Sequence, residues 1–271
     1  MNDSISWHVE PQEPIRYLID YLNPDFVDEY KFCKDLIVEK LVMLQQPLFF
    51  LERIEEVPWE LLFPIYEDRA YWHFQRNVLV EHLVIALHRL FYDTTDKKSL
   101  SLFRFKNRVF KNITDDNVRK SVGAKWNQKK KQFDELSNVE ECIRYVRNSY
   151  VGHLDYFSYK NPNPSIKINL SDFKSLLHQG HELFNSLEIE SHQMIYVWGY
   201  LDSARERRKT DIDQLLKITV SKSHLLTLPD PERPHMDVQI GLNQSQREIV
   251  NNFFQLIGIE HRLPHLIENF S

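Results

Sequence analysis

The sequence predicts an all-α helical bundle with a small C-terminal appendage of α+β or irregular character, and three observations lead there. Glycine is scarce: 271 residues hold six, at positions 123, 152, 180, 199, 241 and 258, where average usage is about 7%. Apolar residues recur at spacings of three and four along most of the chain up to about residue 200. Hydrophobic residues make up 42% of the whole, enough to fill a core. The glycine count also excludes functions. Phosphate-cradling loops of the P-loop and Rossmann kinds need closely spaced glycines so that backbone amides can approach the ligand, and no two glycines here are close enough. Barrels and sandwiches, which lean on turn glycines about every eight to twelve residues, are disfavoured on the same ground.

Residues 1–24 hold Pro11, Pro14 and Pro24 among apolar residues and read as an arm laid on the body. A first helix is expected from Asp25 to about Gln46, with Phe26, Tyr30, Cys33, Ile37, Leu41 and Leu44 on its buried side. Pro47, Pro58 and Pro64 then cut the chain into short helical pieces. A long amphipathic helix follows over 65–92, marked by Trp72, Leu79, Leu83, Ala86, Leu87 and Leu90. Ser99 or Ser101 can cap the next helix, through Leu102, Phe105, Val109 and Phe110. Helical patterning then continues to Phe157, as one helix or as two joined near Gly123 or Ser137. A proline-containing loop with an extended piece at Ile166–Ile168 precedes a last long helix, opened by Ser171 and running from about Asp172 to Ser203. The bundle spans 25–204 on this reading. In the appendage, 205–271, QLLKITVSKSHLLTL alternates enough for a strand or two, MDVQI for another, and a short helix fits Gln244 to Ile257.

Charge is nearly balanced, with 34 basic against 39 acidic side chains and a formal net of -5, so any nucleic-acid contact must be local. Cys33 and Cys142 fall in core-like helical stretches and read as two reduced thiols. The opening MNDSISWHVEPQEP has no basic run followed by an apolar one, and no stretch reaches the roughly 18 apolar residues of a membrane span. A cytoplasmic protein without membrane contact is the expectation.

Arginine and histidine spacing carries the chemical signal. Two Arg-(four to six residues)-His strings occur, RNVLVEH from Arg76 to His82 and RNSYVGH from Arg147 to His153, and composition alone yields about two such matches. The less expected feature is an asparagine directly after each arginine, Asn77 and Asn148. His153, with an ordinary pKa of about 6.5, can accept or donate a proton near neutrality. Arg147 can hold a phosphate with two donors, and Asn148 can orient either side chain. At about 100° per residue, positions 147 and 153 lie about 240° apart on a straight helix, so either the helix is disturbed near Gly152 or a second protomer completes the site. In a purely structural role, Arg147 would bridge to Glu140 and His153 would cap a helix end.

The segment ECIRYVRNSYVGHLDYFSYKNPNPSIKINLSDFKSLL resembles HEPN domains, helical bundles with an Arg-polar-(four to six)-His signature, and in particular the abortive-infection U-type branch. The upstream LHRLFYDTTDKKSLSLFRF also resembles that branch, and so does the extended piece followed by a helix. The likeness covers roughly residues 25–200. It implies a metal-independent endoribonuclease without a cofactor, of defence or toxin type. A two-fold homodimer would pair the motifs, and attack by the 2′-hydroxyl would leave 2′,3′-cyclic phosphate ends. Arg147, His153 and Asn148 would be catalytic, with Arg76, Asn77 and His82 a secondary candidate motif. Two other functions stay open: a catalytically silent module binding RNA or a nucleotidyltransferase-like antitoxin partner, and a helical protein-interaction scaffold.

Lesser candidates complete the reading. Lys125, Lys129, Lys130 and Lys131 around Trp126 can guide an RNA backbone or form a solvated face, as can RERRK near residue 207. His178, His181 and Glu182 share a helix face without a third strong ligand, so no metal is expected. Tyr150, Tyr156, Phe157 and Tyr159 read as core and dimer interface. Gly152, immediately before His153, is the glycine expected to admit a partner helix or phosphate.

Overall fold

The structure is a computed structural model, and it describes residues 18–64, 66–92, 100–151, 168–187, 211–221, 223 and 242–260. Among these residues the fold is all-α. The chain enters through two short 3-10 turns, Leu18–Tyr21 and Pro24–Phe26, with Leu18 and Leu22 already in the core. Asn23 holds the second turn by accepting from the Asp25 amide at 3.1 Å. Asn23 and Thr114 donate backbone bonds to Asn112 and Tyr21, both 2.8 Å, around an isolated antiparallel Leu22–Ile113 bridge.

Helix α1 (Val27–Met43) buries Tyr30, Cys33, Ile37 and Leu41 at the anticipated spacing. It stops three residues before the expected Gln46, and α2 (Gln45–Glu55) takes Pro47 into its first turn. A first-turn residue has no intrahelical acceptor to lose, so proline there opens a helix instead of breaking one. After the single turn α3 (Trp59–Leu62) comes α4 (Tyr66–Leu87), which packs along α2. At its end the backbone widens into a π turn, His88–Tyr92. Helix α5 (Leu102–Asn112) follows, and Ser101 occupies its N-cap position without making a side-chain capping bond. The joint left open between Gly123 and Ser137 lies at Ser137: α6 (Asp116–Asp134) runs through Gly123, and α7 (Ser137–Val146) begins after it. Asp115 caps α6, accepting from the Asn117 and Val118 amides. A second π turn, Arg147–Val151, ends α7. Helix α8 (Leu170–Asn185) opens two residues earlier than Ser171 suggested, because Asn169 and Asp172 form a reciprocal capping box.

These helices enclose one large apolar cluster. Phe105 of α5 stacks on Tyr30 of α1 (5.6 Å) and on Phe184 of α8 (6.1 Å), tying three helices through aromatic faces. Gly180 lets α8 press on the first π turn: a Cβ there would collide with the ring of Phe91. Among the described glycines, Gly180 makes the closest approach to a neighbouring side chain.

The C-terminal region corrects one expectation. Residues 211–220, the part from 214 expected as strand, are a helix, α9, whose Ile212, Leu216 and Val220 are buried at a four-residue period. With Leu242, Val250, Phe253, Phe254 and Ile257, they build a second apolar cluster on Val57, Leu62 and Phe63. Helix α10 (Gln244–Leu256) closes it, capped reciprocally by Asn243 and Gln246. The cluster is pinned to the bundle by Arg53 of α2, only 10% exposed, which forms an ion pair with Asp213 and donates to its Oδ2 through Nη2 at 3.3 Å. Cys33 and Cys142 are free thiols, and burial pushes the Cys33 thiol up. No helix among the described residues is long and apolar enough to cross a membrane. The segments RERRK and MDVQI, the extended piece at 166–167, and Gly152 and His153 lie outside the described residues.

Candidate functional site

Arg147 is the first residue of the π turn Arg147–Val151, and that position decides what it can reach. An α-helix returns each side chain to the same face every three to four residues, whereas a π turn inserts an extra residue and re-aims those that follow. The backbone therefore leaves regular α-helical geometry from Arg147 onward. Ile143 and Ser149 stay buried beneath the turn, Asn148 is exposed and Arg147 is half-buried. Arg147 Nη1 donates to Asn148 Oδ1 at 2.7 Å, so the asparagine orients the guanidinium. Glu140, the acidic partner considered for Arg147, pairs instead with Arg144 one helical turn away from it.

The π turn rests against α4, and the first π turn, His88–Tyr92, packs against α7. Between them opens a cleft of about 1830 Å³ that follows α4 past α1 and α2. Arg147 and Asn148 line it together with His82, His88, Arg89 and Arg144, and Lys40 reaches it from α1. No carboxylate belongs to its described lining, although the whole chain is net acidic. A concavity with cations, histidines and apolar walls attracts anions. Tyr92 adds a neutral donor. Burial first, then the nearby Glu140, pushes its phenol far above the ordinary range against the opposing pull of Arg144, so the hydroxyl stays protonated. That hydroxyl has no hydrogen-bond partner among the described residues.

The two Arg-Asn strings fare differently. Arg76 donates to Glu55 of α2 through Nε (3.2 Å) and Nη2 (2.7 Å), which makes it a surface tie between helices, and Asn77 is exposed. His82, from the same string, faces the cleft that holds Arg147. Thus the structure brings together one residue of the secondary motif and two of the primary one. His153 lies outside the described residues.

The lysine-rich segment is largely occupied. Trp126 is 2% exposed and packs edge-on to Phe103 at 5.6 Å, so its ring is committed to the core and cannot stack on a base. Lys129 pairs with Glu182 of α8 at 2.8 Å and Lys130 with Asp134 at 2.7 Å, while Lys125 and Lys131 are exposed. In HQGHE, His181 is 1% exposed, and burial lowers its pKa to about 4 against the raising influence of Glu182. Glu182 itself is held low by the Lys129 hydrogen bond. Among the described residues no group of three or more His, Cys, Asp or Glu could hold a metal ion.

Sequence reasoning missed His88, Arg89, Arg144, Tyr92 and Lys40 as cleft residues. The available signal was His88-Arg89 at the end of a helix otherwise lined by Leu83, Val84, Leu87, Leu90 and Phe91. Charged residues beside an aromatic run were legible there, but the π turn that aims them was not. Compared with known proteins, the chain matches no family model, no curated protein and no solved structure.

Proposed function

We propose that the protein is a metal-independent endoribonuclease of HEPN type, serving cellular defence or a toxin–antitoxin pair, with Arg147 at the centre of its site. The observation that carries this reading is the cleft. Arg147, held by Asn148, shares it with Arg89, Arg144, His82 and His88, and no described lining residue would repel a phosphate. In the reaction a neutral histidine removes the proton of a ribose 2′-hydroxyl, whose oxygen attacks the adjacent phosphorus. The bond from phosphorus to the 5′-oxygen breaks, a protonated acid donates to that oxygen, and a 2′,3′-cyclic phosphate remains. Two proton carriers are needed, one accepting and one donating. His153 is the motif's own candidate, and His82 and His88 lie on the cleft wall as candidates for the second. Arg147, Arg89 and Arg144 balance the charge that gathers on the phosphoryl oxygens. In a two-fold homodimer the second protomer would present the same groups again.

The experiment is cleavage of total RNA by the pure protein in EDTA, with Arg147→Ala and His153→Ala alongside. Loss of cleavage in both variants, with oligomeric state kept, is the expected result. Undiminished cleavage by either variant overturns the assignment of that residue. Binding of RNA without cleavage by the native protein identifies a silent module instead, and neither binding nor cleavage leaves the scaffold reading.

A further inference from the structure

The cleft changes character along its length. At one end stand Arg89, Arg144, Arg147 and Tyr92, and at the other Tyr71, Trp72 and Phe50, with Gln75 beside them. Tyr71 and Arg89 are eighteen positions apart, which at 1.5 Å per helical residue is about 27 Å, a span of several nucleotides. The aromatic end is built rather than merely exposed. Trp59 donates its indole N–H to the Ile54 carbonyl at 2.8 Å, which fixes its plane, and Trp72 stacks on it at 5.4 Å and 27°. Tyr71 stands edge-on to Trp72 at 5.5 Å and 79°, and it is 63% exposed. An aromatic ring braced from behind and open in front is what an unstacked base requires, since little rotamer freedom remains to be lost on binding.

We propose that Tyr71, braced by Trp72, is a base-stacking subsite for single-stranded RNA whose phosphates lie at the Arg89–Arg144–Arg147 end. The proposal rests on the ribonuclease reading for its choice of ligand. Charge favours nucleic acid over a second protein here, because the same continuous cleft carries cations and no described carboxylate. The exposed Phe74 and Val78 continue the apolar surface of α4 beside Tyr71, and they supply further apolar contact for a strand lying along the helix.

The test is a binding titration with a short 2′-O-methyl oligouridylate, which lacks the attacking hydroxyl, and with inorganic polyphosphate, which has charge but no bases. Tyr71→Ala is expected to weaken oligouridylate binding about tenfold and to leave polyphosphate binding unchanged, while Tyr71→Phe binds both as the native protein does. The double change Arg89→Gln and Arg144→Gln is expected to weaken both probes. Native-like oligouridylate binding by Tyr71→Ala overturns the subsite and leaves the ribonuclease reading standing. Failure of the native protein to bind either probe overturns both. A lowered sedimentation coefficient of Tyr71→Ala with unchanged oligouridylate affinity overturns the subsite in favour of a protein interface.

Discussion

The two Arg-Asn strings, nearly the same on paper, sit in different backbones. Residues 76–82 lie inside the regular helix α4, where Arg76 meets Glu55 across a helix pair and nothing re-aims its neighbours. Arg147 and Asn148 open a π turn, hydrogen-bond to each other and face a cleft. The first string is therefore a surface tie between helices and the second lines the cleft, with His82 the exception that joins them. What separates the two is the local helix register and what packs against it, not the identity of the residues.

The largest expected effect breaks the comparison if it fails. Arg147→Ala should lower RNA cleavage by about a hundredfold or more, the scale for removing one transition-state donor, with circular dichroism unchanged. Arg76→Ala should leave cleavage within about twofold, and comparable losses in the two variants would erase the distinction.

A second effect concerns the helix that braces the first π turn. His181 on α8 has a folded pKa of about 4, below the ordinary value of about 6.5, because burial disfavours its charged form. Between those values the unfolded chain binds more protons than the folded one, so stability rises with pH. The contribution is complete above about pH 6.5 and is lost as pH falls towards 4, by up to about 3 kcal/mol. Urea midpoints across that window should show the slope, and His181→Gln should flatten it.

Gly180→Ala comes next. The new methyl would collide with Phe91, and overpacking of this kind costs about 1–3 kcal/mol. Because Phe91 belongs to the His88–Tyr92 turn, the variant should also lose affinity for RNA when assayed well below its melting temperature. Unaltered stability would show that α8 does not set the position of that turn. The smallest effect is the stability change of Arg76→Ala, about 0.5 kcal/mol by chemical denaturation, since the Arg76–Glu55 pair is solvent-exposed.

Much of the bundle was legible because it rests on local rules. The buried side of α1 follows from its three-four period, α10 was placed within a residue, and the break before α7 was one of two positions named. Where the reading failed, a competing rule won. Pro47 opened α2 because a first turn needs no donor there, and Asn169 displaced Ser171 as a cap because Asp172 could reciprocate. The stretch after residue 213 alternates over a few positions, yet Ile212, Leu216 and Val220 find an apolar surface at helical spacing on Val57, Leu62 and Phe63. Trp126 beside four lysines read as either a candidate RNA contact or part of a solvated face, but α5 and its Phe103 claim the ring.

By itself the sequence determined the fold class, the order of the bundle helices and the pair Arg147–Asn148 as the residues to examine, since propensity, period and residue chemistry are written position by position. Only the tertiary structure decided that His88, Arg89 and Arg144 join them, that Arg76 is held away by Glu55, and that an aromatic end lies along the same helix. The physical reason is that a cleft is made by packing between distant segments. Two π turns and a glycine contact set its walls, and none of them leaves a periodic mark in the chain.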